Sequence, residues 1–343
     1  MSGSPVYVLD KRGISRALGE YVVGAAFAAD VCGFALADGT LRLVPLANRE
    51  HWHQVMAHDG GALCFAAAGA EFVSGGEDGK LCRIGADGQV SAIAAYGSKW
   101  VEHVATWSGE RGRALIAAGV GKAVHLFDAQ GALLKTVQHP STVSGIAFDA
   151  RGKRLGAAHY NGASLWFVNA KTDTPRLLEW KGSHIGIAIS PDSDAVVTSM
   201  QENALHGWRL SDEQHMRMSG YPAKTRAMSF SRTGKWLATS GAESVVLWPF
   251  FGGGPMGKQP MELGGGDNVL CTSVACHPQH ESVAAGFSDG LVLLADIATS
   301  RILPVAPRGQ GEVSALAWSA DGSQLAIGTA TGFAALVDFS RRD

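Results

Sequence analysis

Short apolar runs, each closing on one anchor residue, recur along the whole chain and are separated by polar turns. The segments YVVGAAF, ALCFAAAGAEFVSGGEDGKLCRI, VEHVATWSGERGRALIAAGVGKAVHLF and TVSGIAFDARGKRLGAAHYNGASLWF share one layout. The same layout returns in HIGIAISPDSDAVVTSMQENALHGW, TRAMSFSRTGKWLATSGAESVVLW, CTSVACHPQHESVAAGFSDGLVLL and EVSALAWSADGSQLAIGTATGFAALV. A first strand ends on the anchor, a polar turn follows, then a second strand of small residues, a tight turn and a third strand. The anchors are Phe27, Phe65, Trp107, Phe148, Ile189, Phe230, Cys276 and Trp318, at intervals of about 38 to 46 residues. That is the period of four-stranded propeller blades. The pattern therefore predicts an all-β chain of eight repeats.

This layout resembles the WD40 repeat family, over essentially all of residues 1–343. The family's turn between first and second strands matches SPDS at 190–193, SRTG at 231–234 and SADG at 319–322. Its turn aspartate matches Asp38, Asp78 and Asp289, and its histidine before the first strand matches His58 and His139. Its third-strand aromatic matches Phe127, Phe167, Trp208 and Trp248. No repeat holds the complete His–Ser/Thr–Asp–Trp set, and repeat 6 has Ala242 at the aspartate position. The resemblance implies one eight-bladed propeller domain. The last repeat ends at VDFSRRD with no room for a fourth strand, so a segment near 14–18 (ISRAL) is expected to complete blade 8 and close the ring.

Composition narrows the function. The formal net charge is −2, which provides no overall positive field for nucleic acid. Five cysteines without a C-x-x-C fit a reduced compartment, and the absence of a signal peptide or an 18-residue apolar stretch points to a cytoplasmic chain without membrane insertion.

Three motifs invite chemistry. GGGPMGKQ at 252–259 matches G-x-x-x-x-G-K, but a phosphate loop needs a helix after it, and here a strand near QPMEL follows. The stretch reads as a bulge on one face. GFSDG at 286–290 matches a nucleophile elbow yet sits at a hairpin turn, with no histidine after His280. His51, His53 and His58 would make a zinc trio only if loop curvature brought His58 back. No catalytic set and no cofactor is expected.

What remains are the loops before each first strand and the turns between second and third strands, which share a face. The residues there differ between repeats, unlike the anchors. Trp100 and Tyr160, flanked by Lys99, His184, Lys224 and Arg226, form the mix typical of protein-binding hot spots. The expected function is a non-catalytic scaffold that binds a protein or peptide, its basic residues suiting an acidic segment. Nucleic acid would want a more continuous basic track. The alternative is a metal-binding or enzymatic propeller, with His159, His184 and Glu202 converging at the channel mouth.

Overall fold

The computed structural model describes residues 6–109, 113–266 and 268–340. Its described residues are strands and turns, apart from a helical turn at Val8–Arg12 and a 3-10 turn at Leu46–Asn48. All strand pairs are antiparallel, because each tight turn returns the chain beside the strand just made. The result is a β-propeller.

The first sheet holds Val22–Ala28, Val31–Leu36, Thr40–Pro45 and His53–Met56, and the second Ala62–Ala68, Glu71–Gly76, Lys80–Ile84 and Val90–Ala95. The third holds His103–Ser108, Ala114–Val120, Ala123–Asp128 and Leu133–Gln138. The fourth has six strands: Gly145–Phe148, Arg154–Phe167, Arg176–Ile189, Ala195–Met200, Leu205–Arg209 and His215–Met218. The fifth contains Met228–Phe230, Trp236–Thr239, Val245–Pro249 and Met261–Leu263, and the sixth Cys271–Cys276, Ser282–Phe287, Val292–Asp296 and Ile302–Ala306. The seventh joins Val313–Trp318, Gln324–Thr329 and Phe333–Asp338 to Gly13–Ala17 from the other end of the chain.

Counted by hydrogen-bonded sheets, the ring therefore has seven blades among the described residues rather than the expected eight. The physical reason lies in the fourth sheet. Repeats 4 and 5 are bonded to each other without a break, because Tyr160 pairs with Ser183 where one repeat passes into the next. The strand Arg154–Phe167 also turns back on itself at Asn161 and Gly162, both with positive φ. Its ends meet, since the Val168 N–H donates to the Lys153 carbonyl at 2.9 Å. A straight strand would hold those two residues roughly 50 Å apart.

Ring closure follows the sequence expectation, displaced by one residue. Gly13–Ala17 runs antiparallel to Phe333–Asp338 in the pairing Gly13 with Val337 through Ala17 with Phe333.

The inner strands stand around a channel and are half buried, while second strands such as Val31–Leu36, Ala195–Met200 and Gln324–Thr329 are buried along their whole length. A strand covered on both faces needs no polar alternation. Outer strands alternate instead, as in His215–Met218. The core lies between neighbouring sheets: Leu41 and Leu43 of the first pack with Phe72 and Ile84 of the second. Fully burying a side chain such as Phe72 contributes about 1.5–3 kcal/mol.

Glycines at the fifth position of three second strands set how closely the sheets approach. A Cβ on Gly75 would stand 2.5 Å from Val101, one on Gly286 2.4 Å from Val313, and one on Gly328 2.4 Å from Val22. Val313 and Val22 open the inner strand of the following sheet, and Val101 stands two residues before the inner strand of its own. Gly328 and Val22 thus join the last sheet to the first with the same contact used twice inside the ring.

Candidate functional site

Turns between second and third strands share one end of the sheets with the loops that lead into each first strand. His58, before its first strand, touches the turn residue Asp78: Nδ1 lies 3.0 Å from Oδ1, while Nε2 lies 3.0 Å from the Ser74 hydroxyl. Burial pushes the Asp78 carboxyl up, but hydrogen bonds from the Lys80 N–H, His58 and the Asp59 N–H outweigh it, so it sits below the usual carboxylate range. Repeat 2 thus ties a histidine, a serine and an aspartate into one buried network.

Other repeats build the same fastening from different parts. Trp166 Nε1 donates to His139 Nε2 at 3.0 Å, and His139 Nδ1 faces the Lys122 carbonyl. Burial lowers the His139 pKa to about 4, consistent with a neutral ring that accepts at Nε2. The aromatic that meets the histidine in repeat 4 is therefore Trp166, not Phe167, which is 55% exposed. In repeat 6, Tyr221 takes the histidine's role, accepting from Trp248 Nε1 and lying 2.6 Å from the Thr239 hydroxyl. Burial raises the Tyr221 pKa to about 12.

These fastenings divide the expected binding residues. His184 is no rim residue: it is 1% exposed, with Nδ1 at 2.7 Å from the Thr198 hydroxyl and Nε2 at 2.9 Å from the Trp180 carbonyl. A position just before a first strand suits a structural histidine as well as a binding one, and sequence spacing alone does not separate the two. The others do point outward. Trp100 is 51% and Tyr160 56% exposed, and Lys99, Lys224 and Arg226 are exposed as well.

Arg226 occupies a key position. It lines a cavity of about 530 Å³ in the central channel, with Glu102, His103 and apolar residues of the inner strands. It also lines a neighbouring pocket of about 350 Å³ with Lys224, Asn203, Ser288 and Glu312. Its Nη1 is 2.9 Å from Glu312 Oε1, an ion pair between residues 86 positions apart. The reading from sequence missed Glu312, Glu102 and His103. The available signal was that Glu312 and Glu102 stand just before the first strands of their repeats, as Arg226 does.

The histidines proposed as metal ligands are already engaged. His159 contacts the Tyr160 carbonyl and the Ser164 hydroxyl, and Glu202 accepts from the Ser183 N–H. His51 and His53 stack with centroids 6.4 Å apart, but His58 is held by Asp78 and Ser74. Among the described residues, no group of three His, Cys, Asp or Glu side chains is placed to hold a metal ion. None of their helices is long and apolar enough to cross a membrane. The glycine loop at 252–258 lies at the opposite end of the sheets, where the Gly253 carbonyl accepts from Arg209 Nη1 at 2.6 Å. It continues into the strand Met261–Leu263 rather than a helix.

Scanned against protein-family models and curated proteins, the sequence finds no match. Among solved structures the chain is similar to the computationally designed protein Ika8, with 18% identity and a TM-score of 0.75. The match covers 94% of this chain and 98% of that one. At that identity the likeness is one of fold, in agreement with the β-propeller described above.

Proposed function

We propose that this chain is a WD40-type propeller of eight repeats acting as a non-catalytic scaffold, and that it binds an acidic segment of another protein through the face bearing Trp100, Tyr160, Lys99, Lys224 and Arg226. The eight-repeat count treats the six-stranded sheet as two repeats that share continuous strands, a reading supported by the fold-back of Arg154–Phe167. The WD40 reading is supported by the His58–Ser74–Asp78 network.

One observation carries the binding reading. Arg226 already holds a carboxylate, that of Glu312, at the junction of the channel and the Lys224 pocket. A partner's Asp or Glu would replace Glu312 there, with Lys224 as second cation and exposed aromatic area at Trp100 and Tyr160. Capture from the source cells with wild-type chain, W100A, R226A and a chain lacking 253–257 tests it. Partner recovery is expected to fall with both point variants and to persist with the shortened loop. Recovery lost only with the shortened loop places binding on the other face. Stoichiometric zinc in untagged protein, lost on mutating His159 or His184, favours the metal-binding alternative.

A further inference from the structure

The grooves between successive repeats, at the end of the sheets opposite the proposed binding face, are alike in build but not in charge. Between repeats 5 and 6 a groove of about 370 Å³ is lined by Asp192, Asp194 and Asp212, and its arginine, Arg209, is paired with Asp212 and the Gly253 carbonyl. Between repeats 3 and 4 a groove of about 380 Å³ has the opposite character. Its floor is apolar, formed by Trp107, Leu115 and Val168, and its rim carries Arg113, Arg151 and Lys153.

The three rim cations are exposed, and none is paired with an acid among the described residues. Elsewhere the chain pairs its arginines freely, as in Arg83 with Glu71, Arg154 with Asp149 and Arg176 with Glu213. Among the described residues that line the groove the one acid is Asp128, which spends Oδ1 on the N–H groups of Gln130 and Ala132. Among the described lining residues, three cations against one carboxylate leave an excess of two positive charges, which a dianion would neutralise. Trp107 supplies a fixed flat surface, because its Nε1 donates to the Ala150 carbonyl at 3.1 Å and Gly152 packs against its ring. The Arg113 guanidinium lies 5.8 Å from the centre of that ring.

We infer that this groove is a binding site for a small phosphomonoester carried on an apolar or aromatic body. Two guanidiniums and an ammonium suit the phosphate oxygens, arginine being apt for bidentate contact. The apolar body would lie over Trp107, Leu115 and Val168, and the groove volume is within the usual range for small-molecule sites. The site does not depend on the proposed scaffold role.

Phenyl phosphate is the probe, titrated by calorimetry against the whole chain beside phenyl sulfate, inorganic phosphate and phenol. Phenyl phosphate is expected to bind more tightly than any of the three. R151A/K153A should weaken it at least about tenfold, as the loss of one charge-assisted contact requires. K224A/R226A, on the opposite face, should bind it unchanged, and both variants should melt like wild type. Phenol binding as well as phenyl phosphate, inorganic phosphate matching it, or R151A/K153A binding normally each overturns the assignment. So does the absence of binding by phenyl phosphate.

Discussion

Trp248 Nε1 donates to the Tyr221 hydroxyl at 2.6 Å, which accepts here as His139 Nε2 accepts from Trp166 two repeats earlier. A phenol and an imidazole thus fill one structural office, because each presents a single acceptor to a buried indole N–H. Tyr221→Phe keeps the ring but leaves Trp248 and Thr239 without that partner. It is expected to lower stability by about 1–3 kcal/mol, read from the urea midpoint at unchanged slope. A wild-type midpoint would show that the bond contributes nothing.

Burial holds the His139 pKa at about 4 against an ordinary 6.5. Its folded value being the lower one, its contribution is fully present above pH 6.5 and is lost as pH falls through about 4. At most that amounts to about 3 kcal/mol. The stability of H139Q should therefore decline less than wild type between pH 7 and pH 4. Parallel declines would assign the acid sensitivity to other groups.

Gly286→Ala would place a methyl 2.4 Å from Val313, where neither strand can retreat without parting the sixth and seventh sheets. The expected cost is about 1–3 kcal/mol, and G286A/V313A should recover part of it. Chemical denaturation of the two variants checks this, and additive losses would mean that the residues do not meet.

Deleting residues 1–20 removes the outer strand of the seventh sheet and exposes the edge of Phe333–Asp338. The melting temperature should drop by more than about 5 °C in a single transition. A truncated chain that melts like the intact one would show the strand to be an ornament.

Much of this fold was legible because its repeat is enforced by packing. Seven of the eight anchors stand at the end of an inner strand or one residue from it, and all are half buried, so their spacing records the fold; Phe65 instead lies mid-strand in Ala62–Ala68, where Ala67 holds the position that Phe27 has in the first sheet. The helical turn at Val8–Arg12 was not legible, since a segment of five residues carries no period and is held mainly by Leu9 in the core beside Val305 and Leu325. The join of repeats 4 and 5 was hidden as well, because the pairing of Tyr160 with Ser183 is a matter of backbone register and leaves no mark in residue type. At the candidate site, exposure separated what position could not. Trp100 and His184 both read from the sequence as lying just before a first strand, yet Trp100 faces solvent, while His184 sits within Arg176–Ile189 and fastens a repeat.

The contact of Gly328 with Val22 has a consequence for the order of the chain. It repeats Gly75 with Val101 and Gly286 with Val313, although it alone links the two ends of the sequence. Nothing in that packing distinguishes this junction from the other two, so the ring has no privileged opening. Circularly permuted genes, with Gly13–Ala17 linked to Phe333–Asp338 and the chain reopened between two other sheets, should encode the same molecule.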